Sequence, residues 1–209
     1  MKLSLAEGLY LIALDDEQGR LLTPAENTYI DGVIAAAILE LYLKKKITLK
    51  NTVIKVIDPS GTGNGILDKV LLKLHSGQRL TDEIENLHDF FKYIKVDLEE
   101  FLVMRGILRK EATKLLWIPL SERMDNANYA FEQEIRNVLK SIVLNGLKPT
   151  SGFVILLSLI YDCGVLQEVF ADKDELIDAV KYTKDMIFSS DIDPELALCL
   201  KELKLFFKK

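Results

Sequence analysis

Val33-Ile-Ala-Ala-Ala-Ile-Leu-Glu-Leu-Tyr-Leu-Lys-Lys-Lys-Ile-Thr-Leu49 decides the fold. Its first part, Val33 to Leu39, is apolar nearly all round. A helix of that kind has no face for water and belongs at the centre of a domain. The spacing predicts one long helix from about Asn27 to Lys45. Lys44, Lys45 and Lys46 sit at its C-terminal end, where positive charge suits the helix dipole. The period then changes. Ile47-Thr-Leu49 and Val53 to Ile57 are short β-branched runs, and Lys50-Asn51-Thr52 between them predicts a hairpin.

Working outward, Ser4 can cap a first helix to about Leu14, with Leu5, Leu9, Ile12 and Ala13 on one face. Asp15 to Arg20 reads as a turn. Asp58 to Gly65 is a loop, Leu67 to Leu74 a helix ended by Gly77. Thr81 caps the next helix, whose apolar side is Ile84, Leu87, Phe91 and Ile94. Asp97 begins another, and Leu98 to Met104 leads through Arg105-Gly106-Ile107-Leu108 into a second hairpin with apolar Leu115-Leu-Trp-Ile118 on it. This repeats the helix–hairpin plan of residues 38–57 only weakly. Helices follow from near Asn126 to Asn145, Gly152 to Tyr161, Lys173 to Phe188 and Pro194 to Phe207, the last with proline in its first turn. The expected fold is mainly α: a compact single-domain helical bundle, residues 1–209, with two short β-hairpins, one projecting and apolar.

The chain has 209 residues, enough to bury a core, and its 49% hydrophobic and 28% charged residues are ordinary for a globular protein. A net charge of −5 disfavours nucleic acid as a bulk partner but leaves room for a local basic patch. Two isolated cysteines, Cys163 and Cys199, give neither a disulfide framework nor a metal spacing. The N-terminus lacks the signature of a signal peptide, and the longest apolar run, Phe153 to Tyr161, falls short of the ~20 residues that cross a bilayer. These features predict a cytoplasmic protein that does not span a membrane.

Few residues suggest chemistry. Asp58-Pro-Ser-Gly-Thr-Gly-Asn-Gly65 has the composition of a phosphate cradle before a helix. No Lys-Ser/Thr pair follows Gly65, however, and the glycines are not spaced as a dinucleotide fingerprint. A strand-to-helix turn needing positive φ is the better reading. His75 and His88 have no cysteine beside them and no histidine partner at helical spacing, so no metal site is expected. Asp15-Asp16-Glu17 and Glu99-Glu100 read as solvated carboxylates at helix ends. Without a nucleophile–base pair or a metal cluster, no catalytic residue and no cofactor are assigned. Lys92 and Lys95 fall three apart on the helix predicted from Thr81, on one face, where they can grip an anionic headgroup; Asp89 and Glu99 are placed to neutralise them. On the second hairpin, Leu115 and Trp117 point one way and Leu116 and Ile118 the other. If one pair packs inward, the other is left for a partner subunit or a membrane. The helix–hairpin pattern also suits a winged-helix DNA binder, but no basic recognition helix accompanies it.

Several stretches together resemble the Golgi phosphoprotein 3 family: Leu3 to Arg20, Ile38 to Ile47, Val56 to Gly63, Ile66 to Leu71, Met104-Arg-Gly-Ile-Leu108 and Leu157 to Phe170. The resemblance implies a compact helical bundle with a projecting hairpin. In eukaryotic members a tryptophan and three arginines bind phosphatidylinositol 4-phosphate, and the hairpin enters the membrane or joins subunits. Two arginine positions fall on Lys92 and Lys95, which keep charge but lose the bidentate fork. The tryptophan position falls on Ala25 and the third arginine on Ile34, so half of that pocket is changed. The hairpin corresponds to Lys110 to Leu120 and keeps Trp117. The long basic N-terminal arm of the eukaryotic proteins has no counterpart, and the chain looks like a prokaryotic member. The expectation is a non-enzymatic module that binds an anionic phospholipid headgroup or membrane surface, peripherally at the inner face of the membrane. The alternative is a scaffold that self-associates, as a homo-oligomer, through Leu115, Leu116, Trp117 and Ile118.

Overall fold

A computed structural model describes residues 3–15, 20–26, 28–115, 118–189 and 191–208 of the chain; for residues 23, 25, 111–115 and 118–123 it describes the backbone alone. Helix α1, Leu5–Ala13, starts at Ser4 in a capping box: Glu7 N–H donates to Ser4 Oγ (3.2 Å) and Ser4 N–H to Glu7 Oε2 (2.6 Å). All nine residues of α1 are buried. Arg105 donates to both oxygens of the buried Glu7 carboxylate, at 3.0 and 3.2 Å, which compensates the charge. Strands β1, Leu14–Asp15, and β2, Arg20–Leu21, pair antiparallel and turn the chain into the single-turn helix α2, Thr23–Glu26.

Helix α3, Tyr29–Leu43, is the central helix that the all-apolar stretch predicts. Gly32 through Leu39 and Leu41 are buried. It packs against α1 and against three helices further along the chain: α4, Gly65–Lys73, α5, Leu80–Phe91, and α8, Ser151–Asp162. Gly32 permits the closest approach, since a Cβ there would lie 2.8 Å from Cys163 Sγ and 3.2 Å from Leu9 Cδ2. Strands β3, Ile47–Lys50, and β4, Val53–Val56, form the expected hairpin. Asn51 and Thr52 at its turn have φ of 50° and 63°, the left-handed geometry that matches strand twist in a two-residue connection.

Helix α6, Ile94–Met104, leads into β5, Leu108–Leu115, and β6, Ile118–Asn126, an antiparallel pair that meets the helices chiefly at its base, through α6. Then come α7, Ala130–Asn145, α8, the short α9, Leu166–Val169, α10, Lys173–Met186, and α11, Pro194–Phe206. The fold is mainly α, as expected, with the small β1–β2 pair in addition to the two predicted hairpins. The differences lie at boundaries. Asn126 is still in β6, so α7 starts at Ala130. Arg79 rather than Thr81 precedes α5, and the Thr81 hydroxyl donates to Glu202 on α11 at 2.8 Å. Asp162, the last residue of α8, lies beside α11 near Lys204 and Lys208. No helix among the described residues is long and apolar enough to cross a membrane.

Candidate functional site: a cationic cleft beside α3

Lys92 and Lys95 do not share a helix. The helix predicted from Thr81 stops at Phe91, Lys92 is its C-cap, and Tyr93 (φ −104°, ψ 9°) precedes a new helix that begins at Ile94, not Asp97. The two lysines nevertheless line one cleft of about 210 Å³, together with Arg20, Leu21, Glu26, Tyr29 and Ile30. Each element has a reason to be there. The β1–β2 pair returns the chain over the end of α1, because Leu22 N–H donates to the Ala13 carbonyl at 2.9 Å, and this brings Arg20 to the cleft. Tyr29 opens α3, and the break at residues 92–93 turns both lysines toward it.

Three cations in the lining face one carboxylate, Glu26. Among the described residues Arg20 and Lys92 have no ion-pair partner; the Lys92 ammonium lies over the Tyr93 ring, 5.3 Å from its centroid. Lys95 pairs with Glu99 at 3.6 Å, and Glu99 also accepts from the Tyr10 hydroxyl at 2.7 Å. Of the two expected neutralising groups, Glu99 is engaged in this way, and the structure shows no pair between Asp89 and Lys92. The Tyr10 and Tyr29 rings meet edge-on at 5.7 Å. The Tyr29 hydroxyl is buried with no hydrogen-bond partner among the described residues. Burial and the Glu99 charge hold its pKa well above that of a free tyrosine, so it stays an O–H donor.

Arg20 was not among the predicted site residues. Sequence spacing carries no signal for it, because the two lysines it joins in the cleft come from far along the chain. Ile34, where the family resemblance places an arginine, is fully buried on α3 and offers nothing to solvent. Ala25 lies in α2, and its side chain is not described. For the hairpin residues, the backbone register pairs Leu115 with Ile118; Leu116 and Trp117 lie outside the described residues, as do the side chains of Leu115 and Ile118.

The glycine loop is already satisfied from within. Thr62 donates to Asp68 Oδ1 from its N–H (2.6 Å) and its hydroxyl (2.7 Å). Asn64 Oδ1 accepts from Ile66 and Leu67 N–H at 3.0 and 3.1 Å and so caps α4. Burial pushes the Asp68 carboxyl up, but the Thr62 donors outweigh it and the pKa is lowered. Asp68 therefore sits where a bound phosphate would, and the loop is the turn that its glycines require. Both histidines have carboxylate partners: His75 Nδ1 lies 3.0 Å from Glu83 Oε1 and His88 Nδ1 lies 2.7 Å from Asp31 Oδ1. His75 follows α4 rather than lying on it. Burial pushes both thiols, Cys163 and Cys199, up to about 12, which leaves them protonated and inert. A larger hollow of about 340 Å³ beside α10 has Val154, Tyr182, Met186 and Ile192 in its wall. Its one lysine, Lys148, pairs with Asp191 at 3.2 Å, so that hollow has no excess charge.

The chain thus has a mainly helical fold around one apolar central helix, with β-hairpins at its edges and a cation-lined cleft at the start of that helix. The family model described as Golgi phosphoprotein 3 (GPP34) matches residues 5–192, nearly the whole chain, and the protein belongs to that family. No curated protein matches it in sequence.

Proposed function

We propose that this protein is a non-enzymatic peripheral membrane module whose cleft takes the phosphorylated headgroup of an anionic lipid. The observation that carries this reading is the convergence of Arg20, Lys92 and Lys95 on one small cleft in a chain whose net charge is −5. The volume supports it as well. About 210 Å³ is below the ~300–1,000 Å³ of a site for a drug-sized ligand and suits a phosphate with one small ring. Arg20 restores a guanidinium fork to a site that otherwise holds two ammonium groups, and a fork is what holds a phosphate bidentately. Each cation near an anionic surface contributes about 1 kcal/mol, so the affinity is modest and local. Membership of the Golgi phosphoprotein 3 family adds to this reading.

The test is flotation with vesicles of phosphatidylcholine alone, with added phosphatidylserine, and with added phosphatidylinositol phosphates, alongside calorimetry with a water-soluble inositol phosphate. Wild type is expected to prefer the phosphorylated headgroup. Arg20→Ala and Lys92→Glu/Lys95→Glu are expected to lower binding about tenfold or more, since about 1.4 kcal/mol is a factor of ten. Equal flotation on neutral and anionic vesicles, or unchanged binding by both variants, would remove the cleft as the headgroup site.

A further inference from the structure

A second feature lies beside the cleft. Four large apolar side chains stand out into solvent where α4 meets the break between α5 and α6: Leu72 is 84% exposed, Phe90 64%, Tyr93 69% and Val96 48%. Two contacts hold the outer side of α4 against this break. Lys73 Nζ lies over the Phe90 ring, 4.5 Å from its centroid, and Lys69 Nζ pairs with Asp97 at 2.8 Å. Leu72 is adjacent to Lys73 and three residues from Lys69, so it shares that side of α4. Phe90 precedes the break, Tyr93 lies in it and Val96 follows it, with Val96 N–H donating to the Tyr93 carbonyl at 2.9 Å. The four therefore lie exposed on one corner, where α4 meets the break.

Charge accompanies the apolar surface. Lys69, Lys73 and Lys92 surround the corner, and two of them lay their ammonium groups over its aromatic rings. Asp68, Asp89, Asp97, Glu99 and the exposed Glu100 are carboxylates nearby in sequence; Asp68 accepts from Thr62, Asp97 is engaged by Lys69, and Glu99 by Lys95 and Tyr10. Lys92 belongs to both features: it lines the cleft and covers Tyr93. A surface that touches the cleft touches the corner too.

We propose that Leu72, Phe90, Tyr93 and Val96 form a wedge that enters the boundary between headgroups and acyl chains of an anionic bilayer, with Lys69, Lys73 and Lys92 at the level of the lipid phosphates. Apolar side chains this exposed, ringed by lysines, fit a fluid, anionic partner that can close around them. Tyrosine and lysine are side chains whose apolar bodies sit in that boundary while their polar ends stay in water. The surrounding lysines favour an anionic lipid surface over a neutral one. The inference rests on the headgroup reading of the cleft and adds to it the plane in which the membrane lies and the residues that enter it.

Two measurements separate the wedge from the cleft. Phe90→Ser/Tyr93→Ser changes only exposed rings, and a thermal melt confirms that the fold is retained. This variant is expected to lose at least tenfold in partition onto phosphatidylcholine–phosphatidylserine vesicles while binding a soluble inositol phosphate as wild type does. For the second measurement, Leu72→Cys is labelled with an environment-sensitive fluorophore; the native thiols are buried and do not compete. A blue shift on adding anionic vesicles is expected. Vesicle binding by the serine variant at the wild-type level, an unshifted label on vesicles that bind the protein, or no vesicle binding by wild type would each overturn the wedge. A blue shift that grows with protein concentration in the absence of lipid would also overturn it, because the corner would then be a contact between protein copies. If the soluble inositol phosphate fails to bind while the serine variant still loses vesicle partition, the wedge stands and the cleft reading falls.

Discussion

Burial pushes the Asp162 carboxyl up to about 7, against the opposing pull of Lys204 and Lys208. A carboxyl whose pKa is raised in the folded state holds its proton there while the unfolded chain has released it. Its stabilising contribution is therefore complete below about pH 4 and is lost as pH rises through about 7. Asp162→Asn keeps the shape and removes the titration. The variant is expected to match wild type near pH 4 and to exceed it by about 2 kcal/mol near pH 8, after discounting the full linkage for partial solvation. Urea unfolding of both proteins across that range checks the sign; a variant less stable than wild type at pH 8 would show that the carboxylate form is favoured after all. Nothing in Leu159-Ile-Tyr-Asp162 announces this, because the burial comes from packing near α11, far along the chain. The same holds for Arg20, whose neighbours in the cleft come from α3 and the α5–α6 break.

At the scale of elements, the close contact at Gly32 sets how near α3 comes to the end of α8. A methyl group there would meet Cys163 Sγ at 2.8 Å, inside any real contact distance, while the helix itself would gain slightly from alanine. Gly32→Ala is expected to cost about 1–3 kcal/mol, read as a lower midpoint in thermal unfolding. A rise in the midpoint would mean that Cys163 moves aside freely. The position of α3 was legible because Val33 to Leu39 leaves no polar face. The break at Lys92–Tyr93 was hidden for a related reason. Ile84, Leu87, Phe91, Ile94, Leu98 and Leu102 are all buried, and their spacing stays helical straight across it. Ser121 to Asn126 has one apolar residue, the buried Met124, among five polar ones, which is too little alternation to mark a strand in sequence.

Across the whole molecule, a net charge of −5 opposes approach to an anionic surface, and on the proposed binding side Arg20, Lys92, Lys95, Lys69 and Lys73 oppose that repulsion locally. Binding is then oriented and sensitive to ionic strength. Partition onto anionic vesicles is expected to fall several-fold as salt rises from about 0.01 to 0.1 M, where the screening length shortens from about 30 to 10 Å. The portion that survives at high salt measures the apolar corner. Partition that does not change with salt would remove the electrostatic contribution. The family and the helical architecture could be read along the sequence. The cleft could be read only in part: the two lysines could be placed on one face, but neither the break between them nor Arg20 beside them carries a sequence signal.

The burial of every residue of α1 has a consequence for how the protein is made. Its neighbours include α3, α6, α7, α8 and α9, so its full environment exists only once the chain has been extended through Val169. At typical rates of synthesis, α1 emerges from the ribosome roughly ten to thirty seconds before α8 does. During that interval its leucines have nothing to pack against, and the nascent chain presents an apolar segment that holding chaperones recognise. The covering of α1 is thus timed by the late arrival of α8 and α9, and any pause in translation before them lengthens the exposure.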